Sequence, residues 1–125
     1  MKVSGIVLAA SFCFCALGFG GIAGTYKIKG YGPQSGHYTG SAVISERDSI
    51  YTATYTYSGG GVSTLTGVRT GDKISFVYQF DEGLYGVQVY RIKGRSLKGP
   101  WVEFGGGSKG WESLTKIRHH QQPVG

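Results

Sequence analysis

The sequence predicts an all-β domain closed into an eight-stranded antiparallel up-and-down barrel, for three reasons. Composition is the first: 23 Gly and 9 Tyr against 7 acidic residues in a chain of 125 leave too few helix formers and charge pairs for a helical bundle. Turn spacing is the second, because from Gly24 onward clusters of turn-forming residues recur roughly every dozen positions. The third is a period-two alternation of apolar and polar side chains between those clusters. A hydrophobic content of 40% and a mean hydropathy of -0.11 supply a core without the charge density of a disordered chain.

Residues 1–23 read as an export segment ahead of that domain. Lys2 opens an apolar stretch from Val3 to Ile22, the charged start and apolar middle of a secretory signal. Small-residue cleavage patterns occur at Ala16-Leu17-Gly18 and at Gly21-Ile22-Ala23, and the first is preferred because it leaves a few residues before the first strand. The alternative is a retained N-terminal anchor, since about 20 apolar residues reach across a bilayer, and this is the sole membrane contact the sequence offers. Both cysteines, Cys13 and Cys15, fall in this segment, so a cleaved chain carries no thiol and no disulfide. Phe12 and Phe14 precede them, which disfavours lipid attachment. The expected location is secreted or periplasmic, and the fold must then rest on burial and closed hydrogen bonding alone.

The barrel domain is expected over residues 24–119, with 120–125 as a flexible tail. Turn signals at Gly32 to Gly36, Arg47-Asp48, Gly59 to Gly61, Gly71-Asp72, Asp81 to Gly83, Gly94 and Gly105 to Ser108 separate eight strands. These run over Gly24–Tyr31, His37–Glu46, Ser49–Ser58, Val62–Thr70, Lys73–Phe80, Leu84–Lys93, Ser96–Phe104 and Trp111–Arg118, all rich in Thr, Tyr, Val and Ile. In the first, Tyr26 and Ile28 oppose Lys27 and Lys29. In the third, Tyr51, Ala53, Tyr55 and Tyr57 oppose a face of threonines, and in the fifth Ile74, Phe76, Tyr78 and Phe80 oppose Ser75 and Gln79. The sixth strand is less clean: Val87 and Val89 compete with Leu84, Tyr90 and Ile92 for the inside, so a bulge is expected there. Hairpin-sized connections throughout favour a barrel over a two-sheet sandwich, and closure hides the edges. An outward face of Thr and Lys disfavours an outer-membrane barrel.

Gly24-Thr25-Tyr26, Tyr38-Thr39-Gly40, Tyr51-Thr52-Ala53, Gly67-Val68-Arg69, Tyr90-Arg91-Ile92, Leu97 to Trp101 and Glu112-Ser113-Leu114 together resemble a bacterial family of small secreted barrels. That family is calycin-like and avidin-like, and some of its members are labelled fibronectin-binding. The resemblance implies a Gly-x-aromatic opening strand with a basic residue, here Lys116 or Arg118, packed beneath it. It also implies an adhesin-like role toward a host matrix protein of the fibronectin type. Tyr26 departs from the Trp usual among calycins.

An eight-stranded interior is filled by side chains or holds one small ligand. Tyr26, Tyr38, Tyr55, Tyr78, Trp101 and Glu112 are the interior residues expected to meet a ligand, because converging phenols and a carboxylate in an aromatic setting bind a polar or aromatic molecule. By volume a filled barrel is the favoured expectation, because these rings together with Tyr51, Tyr57 and Phe76 would occupy much of the interior, with Gly40, Ala53, Gly67 and Gly99 making room for neighbouring rings. A buried Glu112 demands a cation or several hydrogen bonds, and Arg69 or Arg91 are the expected partners. No catalytic constellation, metal site or cofactor motif is present: His37, His119 and His120 have no acids paired with them. An enzyme would need Glu112 and a neighbouring His or Tyr in one cleft with perturbed pKa values.

Charge supplies the other lead. The net charge of +6 falls to +5 without Lys2, and Arg91, Lys93, Arg95 and Lys98 cluster around one hairpin as a basic surface patch suited to an extracellular protein or an anionic glycan. Export and the lack of any RNA-binding or groove-reading motif argue against nucleic acid. A basic barrel is also a poor inhibitor of a basic lysozyme. The leading expectation is therefore a non-enzymatic, exported, adhesin-like binding barrel acting through its basic surface. The alternative is a lipocalin-like carrier of a small ligand inside the barrel.

Overall fold

The computed structural model describes residues 21–80 and 83–118. The proposed export segment up to residue 20, both cysteines, Asp81-Glu82, His119-His120 and the tail lie outside the described residues. Eight strands follow in order: β1 (Gly24–Gly32), β2 (Gly36–Arg47), β3 (Ile50–Tyr57), β4 (Val62–Thr70), β5 (Lys73–Phe80), β6 (Tyr85–Lys93), β7 (Ser96–Glu103) and β8 (Lys109–Lys116). Each pairs antiparallel with the next, and β8 returns to β1 to close the barrel, with Tyr26 opposite Lys116 and Tyr31 opposite Trp111. Closure leaves no sheet edge, so a domain of this size holds its backbone polar groups paired without a disulfide.

The two ends of the barrel differ. Between β2 and β3, β4 and β5, and β6 and β7 the connections are two residues long, Asp48-Ser49, Gly71-Asp72 and Gly94-Arg95. Asp48 and Ser49 both have positive φ, 53° and 67°, the twist that matches a tight hairpin, and for that reason β3 begins at Ile50 and not at Ser49. At the other end the connections are longer, and a short 3₁₀ turn, Phe104–Gly106, precedes β8. Longer connections on a rigid scaffold are where binding surfaces are usually built.

The short-turn end is filled. Ile44, Tyr51, Ile74 and Leu97 are buried there, and Ile22, 4% exposed, sits beneath them. The Tyr26 hydroxyl donates to the Ile22 carbonyl at 2.5 Å, and Lys116 Nζ donates to the Gly21 carbonyl at 3.1 Å. Two inward side chains thus draw the segment before β1 across the end as a plug, with the Lys116 stem against Gly24. Lys116 is the basic residue beneath the opening strand, whereas Arg118 is exposed. Burying one isoleucine in this way contributes on the order of 1.5–3 kcal/mol.

The sixth strand corrects an expectation. No bulge interrupts it: pairing with β5 runs in constant register from Lys73–Arg91 to Gln79–Tyr85, and the pairs with β7 share one register on both sides of a gap. Gly86, Gln88 and Tyr90 point inward, Val87 is exposed, and Leu84 precedes the strand and is 52% exposed. Tyr90, being large and fully buried, sets the phase, and the two valines take the outer face. The gap in pairing lies at Gly99 and Pro100, where proline has no N–H to give the ladder. Gln88 fills it: its Nε2 donates to the Pro100 carbonyl at 3.0 Å and the Gly99 carbonyl at 3.2 Å.

Candidate functional site

The long-loop end is hollow. A cavity of about 350 Å³ opens there between the β1–β2, β3–β4 and β7–β8 connections, and inward glycines create it. The Tyr38 ring occupies the space a side chain at Gly30 would need, the Tyr78 ring lies over Gly86, and the Trp101 ring lies over Gly32 and Gly110. Rings laid flat on the wall over glycines cover backbone without crossing the axis. These are not the positions expected to make room: Gly40 and Gly99 are crowded by neighbouring backbone, and only Gly67 faces a ring, that of Phe76.

Of the six residues expected to meet a ligand, Tyr38, Tyr55, Tyr78, Trp101 and Glu112 line this cavity. Tyr26 does not. It is buried at the plugged end, where its hydroxyl is committed to Ile22, because its place near the start of β1 puts it beside the short turns and away from the mouth. Tyr57, Ser63, Gln88 and Glu103 join the lining. Tyr57 shares the inward phase of β3 and was legible from alternation. Ser63, Gln88 and Glu103 were not, since a polar residue on an inward phase carries no hydrophobic signal.

Glu112 is the centre of the site. It is 3% exposed and stands between Gly30 of β1 and Gly99 of β7, so neither neighbour covers it with a side chain. The Tyr90 hydroxyl donates to Oε1 at 2.6 Å and the Tyr38 hydroxyl donates to Oε2 at 2.8 Å. The Tyr55 and Tyr90 hydroxyls are 2.7 Å apart. With the Tyr90 proton directed at the carboxylate, Tyr55 is the donor of that pair. No arginine takes part. Arg69 has the inward phase but lies at the short-turn rim, bonded to the Gly71 carbonyl at 2.8 Å. Arg91, adjacent to inward Tyr90, faces out and meets Asp72 at 3.6 Å. The expected ion pair is replaced by phenol donors.

Burial raises the Glu112 carboxyl above its ordinary 4.5, and the Tyr90 and Tyr38 donors offset only part of that cost. The phenols shift the same way. Desolvation, then the nearby Glu112 carboxylate, pushes Tyr38 and Tyr57 far above the usual phenol range. Tyr55 and Tyr90 are also well raised, and Glu103 adds to the effect on Tyr78. Such phenols are neutral, and those of Tyr38 and Tyr90 are hydrogen-bond donors to the carboxyl group. Among the described residues two buried polar atoms have no satisfactory partner: Trp101 Nε1 and Ser63 Oγ. The first leans toward the Tyr38 hydroxyl and the second toward the Tyr57 hydroxyl, neither with the geometry of a full hydrogen bond.

The basic cluster lies elsewhere. Arg91, Lys93, Arg95 and Lys98 are all exposed on the outer wall toward the short-turn end, with Arg91 paired across to Lys73 on one side and Lys98 on the other. Arg95 donates to the Lys116 carbonyl. Lys27 and Lys29 extend the basic wall onto β1, whereas Lys116 turns beneath the barrel. Exposed His37 tilts against Tyr31. No group of three metal-ligating side chains occurs among the described residues.

No protein-family model matches the sequence, and no curated protein does. Solved structures do resemble the barrel. One is a redesigned β-barrel, mFAP1, bound to DFHBI, at 12% identity over 76% of this chain and 94% of that one, with a TM-score of 0.67. A second redesigned barrel shares 14% identity over 78% and 92% of the two chains, at a TM-score of 0.65. A de novo designed fluorescence-activating barrel shares 14% over 76% and 93%, at 0.62. The likeness is one of fold. It establishes the closed eight-stranded antiparallel up-and-down architecture and nothing of sequence kinship.

Proposed function

We propose that the protein is an exported, non-enzymatic barrel that carries a small organic molecule in its open-ended cavity. The observation that carries this reading is the cavity itself. It is of ligand size, walled by tyrosines, Phe80 and Trp101, and furnished with Glu112, Gln88 and the two unsatisfied polar atoms. A barrel of similar fold is bound to the small molecule DFHBI, which supports the carrier reading over the adhesin-like one. The test uses the neutral solvatochromic dye Nile red, with Ser63→Phe to fill the cavity from β4. Saturable, blue-shifted emission with the native protein, lost in a folded Ser63→Phe variant, is the expected result. Emission unchanged by the substitution overturns the reading.

The adhesin-like reading keeps one observation in its favour, the exposed row Lys73, Arg91 and Lys98 across three adjacent strands. A protein partner of the fibronectin type, as the family resemblance implies, would meet that wall and not the cavity. Reversal of Arg91, Lys93, Arg95 and Lys98 to Glu would then abolish capture at low salt and leave Nile red binding intact.

A further inference from the structure

Charge is segregated between the outside and the inside of this barrel. The chain is strongly basic, yet among the described residues no Lys, Arg or His lines the cavity, and the two charged residues that do are both carboxylates: Glu103 near the mouth and Glu112 at the base. The other described Lys and Arg side chains are exposed outside the cavity, Arg69 at the short-turn rim, and Lys116 is turned to the plugged end. A carboxylate this deep ordinarily has a counter-ion or gives up its charge. The phenols of Tyr38 and Tyr90 satisfy one lone pair on each oxygen, but they are dipoles and supply no positive charge. A carboxylate has about four acceptor positions, and two remain.

The surroundings suit a cation in particular. Tyr38 and Tyr57 stand edge to face with centroids 5.6 Å apart, and Phe80 continues the aromatic wall 5.8 Å from Tyr57. Ring faces carry negative quadrupole density and attract an ammonium group, more strongly where water is excluded. The rest of the lining, Leu65, Tyr78 and Phe80, is an apolar seat for an organic body. An anionic ligand would meet two like charges, and a neutral one would leave Glu112 without its counter-ion.

We infer that the carried molecule is a small organic cation, an arylalkyl amine, whose ammonium is held against Glu112 inside the tyrosine wall while its ring lies toward Tyr78 and Phe80. This rests on the carrier reading above. The titratable groups that face Glu112 are Tyr38 from β2, Tyr55 and Tyr57 from β3, Tyr78 from β5 and Tyr90 from β6. All are held neutral well past neutral pH, and Glu103 near the mouth is the other carboxyl among the described lining residues. Affinity for an amine therefore rises with pH through the raised Glu112 pKa, as the carboxyl loses its proton.

Calorimetry with three indoles of matched size tests the inference: tryptamine, its alcohol isostere tryptophol, and the carboxylate indole-3-propionate. Tryptamine is expected to bind at least about tenfold tighter than tryptophol, the difference worth ~1.4 kcal/mol, with the carboxylate weakest. Glu112→Gln should bring the amine-to-alcohol ratio to about one and flatten its pH dependence, with circular dichroism confirming the fold. Glu103→Gln, near the mouth, should cause a smaller loss and serves if Glu112→Gln does not fold. Tryptophol binding as tightly as tryptamine, or a preference for the amine that survives Glu112→Gln, overturns the inference. Binding by none of the three overturns it as well, and saturable Nile red binding then tells whether the carrier reading survives separately.

Discussion

Glu112 concentrates the chemistry of this protein in one carboxyl group. Its charge is stabilised by two phenol hydroxyls and opposed by burial, and burial dominates. Tyr90→Phe deletes the hydroxyl that joins Tyr55 to Glu112. It should lower unfolding free energy by about 1.5–3 kcal/mol, the usual cost of losing a hydrogen bond to a charged group, read from the midpoint of a denaturant melt. The pH dependence has a definite sign. A carboxyl whose folded pKa lies above its unfolded value contributes stability that is full below about 4.5 and is lost as pH rises through the folded pKa. Thermal melts of the native protein should therefore fall across that window, and in Glu112→Gln the decline should disappear. Inward placement of Glu112 was legible in the sequence because it shares a face with Leu114. Its partners were not legible, because phenols from β2 and β6 reach it only after closure brings those strands round the barrel.

At the level of the strands, nearly every turn was readable. Glycines and the Asp48-Ser49 pair punctuate the chain, and hairpins between short alternating strands leave few other topologies. The misreadings share one cause. In β6 the apolar valines suggested the inside, but the bulk of Tyr90 fixes the phase and places a glutamine indoors. Gln88 belongs there because Pro100 interrupts the ladder between β6 and β7, and its amide bonds the carbonyls on the β7 side. Gln88→Leu, nearly isosteric but without donors, should cost about 1–3 kcal/mol by leaving those carbonyls unsatisfied. Hydrogen exchange should localise the added opening to β6 and β7, and uniform loss of protection around the barrel would contradict this role. The hollow was hidden from sequence reasoning for a related reason. Summed ring volumes suggested a full interior, whereas Gly30, Gly86 and Gly110 let rings lie back against the wall.

Taken whole, the barrel is plugged at one end by Ile22 and open at the other, basic outside and acidic within. It also buries a set of tyrosines with raised pKa values, Tyr26 to about 12 and others higher. A phenol raised in the folded state contributes stability that is complete below 10 and is lost as pH rises beyond it. The chain should thus unfold cooperatively above pH 10, with tyrosinate absorbance and loss of β-sheet circular dichroism appearing together. Gradual ionisation ahead of unfolding would mean that water already reaches the phenols. The central claim, that the open end holds a small molecule, is tested most directly by native mass spectrometry of the protein isolated gently from its own source, before and after denaturation. The account predicts an added mass of a few hundred daltons that denaturation releases, with positive-mode fragmentation identifying an amine. A bare chain mass under gentle conditions, together with no gain in mass on incubation with aromatic amines, would contradict it.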